Sequence, residues 1–125
     1  MVNSIKKGKK GELDFCRFVK DLGHDCRRSQ QYKGSKDSAD VDSDLFWFIH
    51  PEVKRVEKLN FYEAYSQADA DSGDEKEPVV FHRKNRGEWM AFCDAKFFLE
   101  LLETYNKYVK GGIPWYAQSS KEDIA

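Results

Sequence analysis

Asp40, Glu52 and Lys54 are the residues whose types and spacing best suit chemistry. Side chains two apart in a strand leave on one face, so the ends of Glu52-Val53-Lys54 emerge together. Asp40 precedes a short apolar hairpin, Leu45-Phe46-Trp47-Phe48-Ile49, that lets it fold back beside them. A hard divalent cation takes one or two carboxylates and fills its shell with water and phosphate. It lowers the pKa of bound water and offsets developing charge, so two carboxylates and an ammonium at one end of a sheet suit phosphodiester hydrolysis. The Val53 carbonyl is a possible third ligand, and Lys54 is placed to orient the attacking water or stabilise the transition state. Asp42, two residues from Asp40, competes for its role.

These residues need elements to hold them. Residues 8–22 carry Leu13, Phe15, Cys16, Val19 and Leu22 at helical spacing, and Gly23 follows as a C-terminal cap. Residues 24–29 read as extended, and 30–38 as a loop rich in Gly, Ser and Lys. Residues 45–49 and 52–56 read as two strands joined by a tight turn at His50-Pro51. Proline favours edges, strand starts and bulges, which limits how far the Glu52 strand is expected to extend toward its N-terminus. Asn60 with Glu63 starts a helix to about Ala70 that buries Phe61, Ala64 and Ala68 and carries Gln67 on a potentially inward face. The acidic residues 69–77 form a loop, 78–82 a strand, 84–87 a turn and 88–93 another strand. Asp94 caps a last helix through about Val109, apolar at Phe97, Phe98, Leu101, Leu102 and Tyr105, and Gly111-Gly112 ends it. The order α-β-β-β-α-β-β-α in residues 1–110, with a tail at 111–125, predicts an α/β single domain. Its central mixed β-sheet is flanked by helices.

A chain of 125 residues is the size of one domain. No apolar run approaches the roughly 18 residues that span a bilayer, and the polar, basic start predicts no signal peptide. Cys16, Cys26 and Cys93 are odd in number and lack C-x-x-C spacing. They are expected to be reduced thiols of a cytoplasmic protein, neither a disulfide frame nor a zinc site. His24, His50 and His82 are scattered, against a histidine metal site, and Trp47, Trp89 and Trp115 are expected in the core or an interface. A net charge of −1 alone argues against nucleic-acid binding, but its distribution does not. Residues 1–36 hold ten Lys or Arg against four acids, whereas 69–77 hold five acids and one Lys. Such polarity lets one face meet phosphates in a near-neutral chain.

An ordered series of motifs adds to this. Lys9-Lys10-Gly11-Glu12-Leu13 is followed by Leu22-Gly23-His24-Asp25-Cys26-Arg27-Arg28-Ser29-Gln30-Gln31-Tyr32 and Asp37-Ser38-Ala39-Asp40-Val41. Then come Glu52-Val53-Lys54-Arg55-Val56-Glu57, Gln67-Ala68, and Pro78 to Arg86 with Trp89. Over about residues 5–95 the series resembles the phage and prophage (bacteriophage) Holliday-junction resolvase-like nucleases. These belong to the PD-(D/E)xK superfamily, with archaeal Holliday-junction resolvases and type II restriction enzymes. Ala39 stands where that pattern usually has Pro, which changes only turn stiffness.

The resemblance implies a restriction-endonuclease-like core and a catalytic and metal set of Asp40, Glu52 and Lys54. It implies that Glu12 completes the metal environment from the first helix and that Gln67 helps orient the site. Mg2+ is the implied cofactor, with Mn2+ able to substitute. Arg27 and Arg28 fall where resolvases meet DNA phosphates, although alternation in a strand turns at most one toward the substrate. Lys9, Lys10, Arg17, Lys33 and Lys36 extend the basic grip. The implied function is a metal-dependent, structure-selective endonuclease of branched DNA, acting in the cytoplasm (the host's, if phage-encoded) as a two-fold dimer without membrane association. The alternatives are a less selective nuclease of flaps, nicks or duplex, a non-catalytic DNA-binding module on the same fold, and an interaction protein whose acidic loop recruits a partner.

Overall fold

Phe15, Cys16 and Val19 lie on one stripe of the first helix and are buried, fixing which way it faces. The structure, a computed structural model, describes residues 4–29 and 39–109. Helix α1 spans Ser4–Asp21. It ends in a Schellman arrangement, with the Gly23 N–H donating to the Lys20 carbonyl at 2.9 Å and the His24 N–H to Val19 at 3.3 Å. Gly23 takes a φ of 97°, the left-handed conformation this cap requires. Leu13 and Leu22, expected on the inward stripe, are instead 49% and 63% exposed.

Strands β1 (Arg27–Arg28) and β2 (Val41–Asp42) pair antiparallel. Strand β3 (Ile49–Lys54) pairs parallel with β4 (Glu77–His82), which pairs antiparallel with β5 (Met90–Cys93). A parallel pair needs a crossover, supplied by helix α2 (Phe61–Ser72). The Asn60 Oδ1 caps α2 by accepting the Glu63 N–H at 3.0 Å. The first unit is thus an α/β fold with a mixed three-stranded sheet.

The expected hairpin at 45–49 does not form. Ser43 caps a 3-10 turn at Asp44–Phe46, its Oγ accepting the Leu45 N–H at 3.2 Å. The chain turns at Trp47 and Phe48, and β3 runs straight through His50-Pro51. Pro51 fits because of where its missing donor falls. The carbonyls of Phe48 and Lys54 accept from Glu77 and Arg83 on the β4 side, so even-numbered β3 residues bond β4. The odd-numbered residues face the outer edge, where a proline breaks no ladder bond. The acidic stretch is not all loop either: α2 continues to Ser72 and β4 begins at Glu77.

Register sorts the first unit into layers. Val53 lies opposite Phe81, and Phe81 packs against Phe15 at 4.6 Å between ring centroids, so α1 covers that face. Trp89 meets Phe15 edge-on at 5.0 Å, in the core as expected, whereas Trp47 is 75% exposed. Glu52, Lys54, Val80 and His82 share the opposite face, where Phe61 of α2 meets His82 and Phe92. Ala64 and Ala68 are buried beneath α2, as expected.

The chain divides into two compact units, Met1–Cys93 and Asp94–Ala125. In the second, Asp94 caps helix α3 (Ala95–Tyr108) by accepting the Phe97 N–H at 3.1 Å. Phe97 is buried, while Phe98, Leu101, Leu102 and Tyr105 are exposed. Gly111, Gly112 and the tail at 111–125 lie outside the described residues. Among the described residues no helix is long and apolar enough to cross a membrane.

A shared carboxylate rivets α1 to the ends of two strands. Asp14 Oδ2 accepts from Arg55 Nε at 3.2 Å and from Arg83 Nη1 at 2.7 Å, all three side chains being largely covered. Removing it leaves two half-buried guanidiniums without their acid. Asp14→Ala is therefore expected to lower stability by about 2 kcal/mol, below the full cost for a buried pair because water still reaches the site. Urea unfolding measures this, and a midpoint like that of the unaltered protein counts against the rivet.

Candidate active site

Asp40 is fixed by three hydrogen bonds. Its carbonyl accepts the Ser29 N–H at 3.1 Å, and its own N–H donates to the Pro51 carbonyl at 3.4 Å. Its Oδ2 accepts the Val53 N–H at 2.8 Å. The first bond extends the β1–β2 pair, and the second joins it to the outer edge of β3. The third sets the carboxylate against the backbone between Glu52 and Lys54. Val53 faces outward from β4, and a strand residue's carbonyl points the same way as its N–H, so the backbone oxygen proposed as a ligand lies on the Asp40 side.

Glu12, Asp40, Glu52, Val53 and Lys54 all line one cavity of about 290 Å3, with Gly8, Gly11, Arg55 and Val56. Five residues named from sequence, Val53 for its carbonyl, therefore line it. Glu12 arrives from α1 because Gly8, Gly11 and Glu12 continue the stripe that buries Phe15, Cys16 and Val19 one turn further on. Gly11 allows the approach: a Cβ there would stand 3.0 Å from that of Arg55. Arg28 Nε donates to Glu12 Oε1 at 2.7 Å.

The electrostatics are those of crowded acids. Glu52 is 7% exposed, and its carboxyl is pushed up to about 7, first by burial and then by the neighbouring Asp40 charge, with Lys54 opposing. Asp71 of α2 and Glu12 add smaller upward effects. Burial also raises Glu12, against the hydrogen bond from Arg28. Among the described residues no group of three or more His, Cys, Asp or Glu side chains is gathered as a metal-holding cluster.

Other expected residues fall elsewhere. Gln67 is exposed, not inward, because Ala64 and Ala68 occupy the buried face of α2. Its Nε2 donates to Asp71 at 3.0 Å, and it borders an adjoining hollow of about 350 Å3 that also touches Lys54. Asp42 does not line the cavity with Asp40: it faces solvent and pairs with Arg27 at 2.8 Å, a direct cross-strand partner. Arg27 and Arg28 part ways, as alternation requires, and only Arg28 turns to the cavity residues. Lys9, Lys10 and Arg17 are exposed on α1. Lys33 and Lys36 lie outside the described residues. The hold of Arg28 on Glu12 was not foreseen from the sequence; the alternation of Arg27 and Arg28 was the available signal. It also missed Asp71, whose nearness to Glu52 depends on where α2 packs.

Compared with known proteins, the chain matches no family model, no curated protein and no solved structure.

The raised Glu52 carboxyl has a consequence for stability. A group whose pKa rises on folding favours the folded state below its unfolded value and loses that contribution as pH climbs through the folded one. The window here runs from about 4.5 to about 7. Glu52→Gln is expected to flatten this decline and to exceed the unaltered protein's stability at pH 8. The gain is on the order of 1–3 kcal/mol, bounded by 1.36 kcal/mol per pKa unit. Denaturant midpoints across pH 4–8 test it, and parallel curves for the two proteins would contradict the assignment.

Proposed function

We propose that the chain is a divalent-metal-dependent nuclease with a restriction-endonuclease-like core, cutting phosphodiesters in branched DNA. The observation that carries the reading is the Val53 N–H to Asp40 hydrogen bond, which puts Asp40, Glu52 and Lys54 on one cavity. The convergence of Glu12 from a separate helix supports it further.

The donor chemistry fits a hard cation. Asp40, Glu52, Glu12 and the Val53 carbonyl offer only oxygen, and Mg2+ needs one or two carboxylates from protein. Burial first, and then the Asp40 charge, raise the Glu52 carboxyl, so positive charge placed beside the two acids is favoured. When bound there, the cation activates water and neutralises charge developing on the phosphoryl oxygens. Lys54 shares a strand face with Glu52 and holds an ammonium beside the reacting phosphate, where it stabilises the transition state. Asp40 is held by the backbone and so orients its carboxylate without rearrangement. The basic groups exposed along α1 and β1, Lys9, Lys10, Arg17 and Arg27, contact backbone phosphates and confer salt dependence with little base reading. Arg27 now holds Asp42 and Asp25, both exposed pairs that exchange cheaply for phosphate. Symmetric nicks on a four-way junction require two active sites, hence a two-fold dimer.

Asp40→Asn is an informative variant, because an amide oxygen still accepts the Val53 N–H and preserves the fold. With Mg2+ and a synthetic four-way junction, Asp40→Asn and Lys54→Ala are each expected to cut at least about 100-fold more slowly. Cleavage at the unaltered rate by both variants refutes the active-site assignment. Equal cutting of flaps, nicked duplex and junctions keeps the chemistry but overturns the structural selectivity.

A further inference from the structure

Arg28 is bound to Glu12, a carboxylate of the cavity. Its partner Glu12 is well covered, with a side chain 14% exposed, while that of Arg28 is 37% exposed. The pair therefore has an inner and an outer end: the carboxylate looks into the cavity and the guanidinium reaches solvent. The fold supports this orientation at both ends. Arg28 is paired in register with Val41, directly after Asp40, so β1 lies alongside the segment carrying the other cavity acid. Glu12 sits on the α1 stripe that the buried core holds in place.

Charge then sets a constraint. A divalent cation beside Asp40 and Glu52 is attracted by the acids that line the cavity and repelled by a guanidinium already resting on one of them, Glu12. Arg28 and the cation compete for Glu12. An arginine displaced from a carboxylate has five donors in a planar fork, a shape that matches phosphate oxygens.

We propose that Arg28 is the internal counter-ion of this site, neutralising Glu12 in the free protein and passing to a substrate phosphate when a divalent cation takes its place. The inference rests on the nuclease reading of the cavity. It makes cation and DNA binding mutually reinforcing, since each favours the state in which Arg28 has left Glu12, and such coupling is reciprocal.

The test is calorimetric titration of Mn2+ alone, without DNA, into the full chain and its variants. Arg28→Gln is expected to bind Mn2+ about tenfold more tightly than the unaltered protein, Arg28→Lys to stay close to it, and Asp40→Asn to lose affinity. On a four-way junction held uncut with Ca2+, Arg28→Gln is expected to bind more weakly, with a log–log salt slope reduced by about one. Should Arg28→Gln fold poorly, Glu12→Gln tests the same exchange from the other side. It removes the charge that holds the guanidinium, leaving a neutral hydrogen bond, and is expected to tighten junction binding several-fold in EDTA. Mn2+ affinity unchanged or weakened in Arg28→Gln, or junction binding in EDTA indifferent to Glu12→Gln, overturns the proposal. Failure of the underlying nuclease reading looks different: Mn2+ binding is then absent, or ignores Asp40→Asn as well.

Discussion

The outer edge of β3 has to be covered, and Asp40 covers it at Pro51 and Val53. A strand edge with unpaired donors invites other chains to pair with it. Of the outward positions on β3, Pro51 has no donor and Val53 has its N–H taken by Asp40 at 2.8 Å. The same aspartate accepts from Ser29 and donates to Pro51, so the small β1–β2 pair is attached to the main sheet through this residue. Sealing the edge brings Asp40 beside Glu52. Burial and then the Asp40 charge push the Glu52 carboxyl up to about 7. Edge closure and acid crowding are therefore one event.

Helix α1 unites packing with chemistry in a similar way. Its single stripe begins with Gly8, Gly11 and Glu12 at the cavity and continues with Phe15, Cys16 and Val19 in the core. Its position depends on aromatic packing against Phe81 and Trp89, and on the Asp14 bridge to Arg55 and Arg83. Arg55 follows Lys54 directly, so the bridge holds the helix against the end of the strand that carries the cavity residues. A small rotation of α1 would move Glu12 and break the core together. Arrangements that use one stripe for both purposes keep the acid in place without a dedicated scaffold.

Much of this was legible in the sequence because short-range rules decide it. The Gly23 cap, the Asn60 and Asp94 caps and the two-residue spacing of Glu52 and Lys54 each depend on neighbours within one turn or one pleat. The order of helices and strands followed from these signals. What escaped was set at longer range. The apolar run at 45–49 promised a strand, but Ser43 caps a 3-10 turn there and the chain has to reverse before β3. Pro51 looked like a strand boundary and is an edge position, a distinction that depends on which side β4 lies. Gln67 sits one place off the buried face of α2, an error in phase that periodicity over a few residues does not resolve. The pairing of Arg28 with Glu12 joins residues 16 apart and depends on how β1 docks on α1.

That docking is itself marked by sulfur. Cys26, just before β1, is fully buried and its thiol donates to Cys16 of α1 at 3.3 Å. Burial raises both thiols, Cys26 to about 12, so neither ionises at neutral pH. The nucleophile in alkylation is the thiolate, and solvent does not reach either atom. A reagent such as iodoacetamide meets this pair only after β1 has lifted from the first helix. The rate at which Cys16 and Cys26 are modified, beside the more accessible Cys93, therefore acts as a clock for local opening of the segment that carries Arg28.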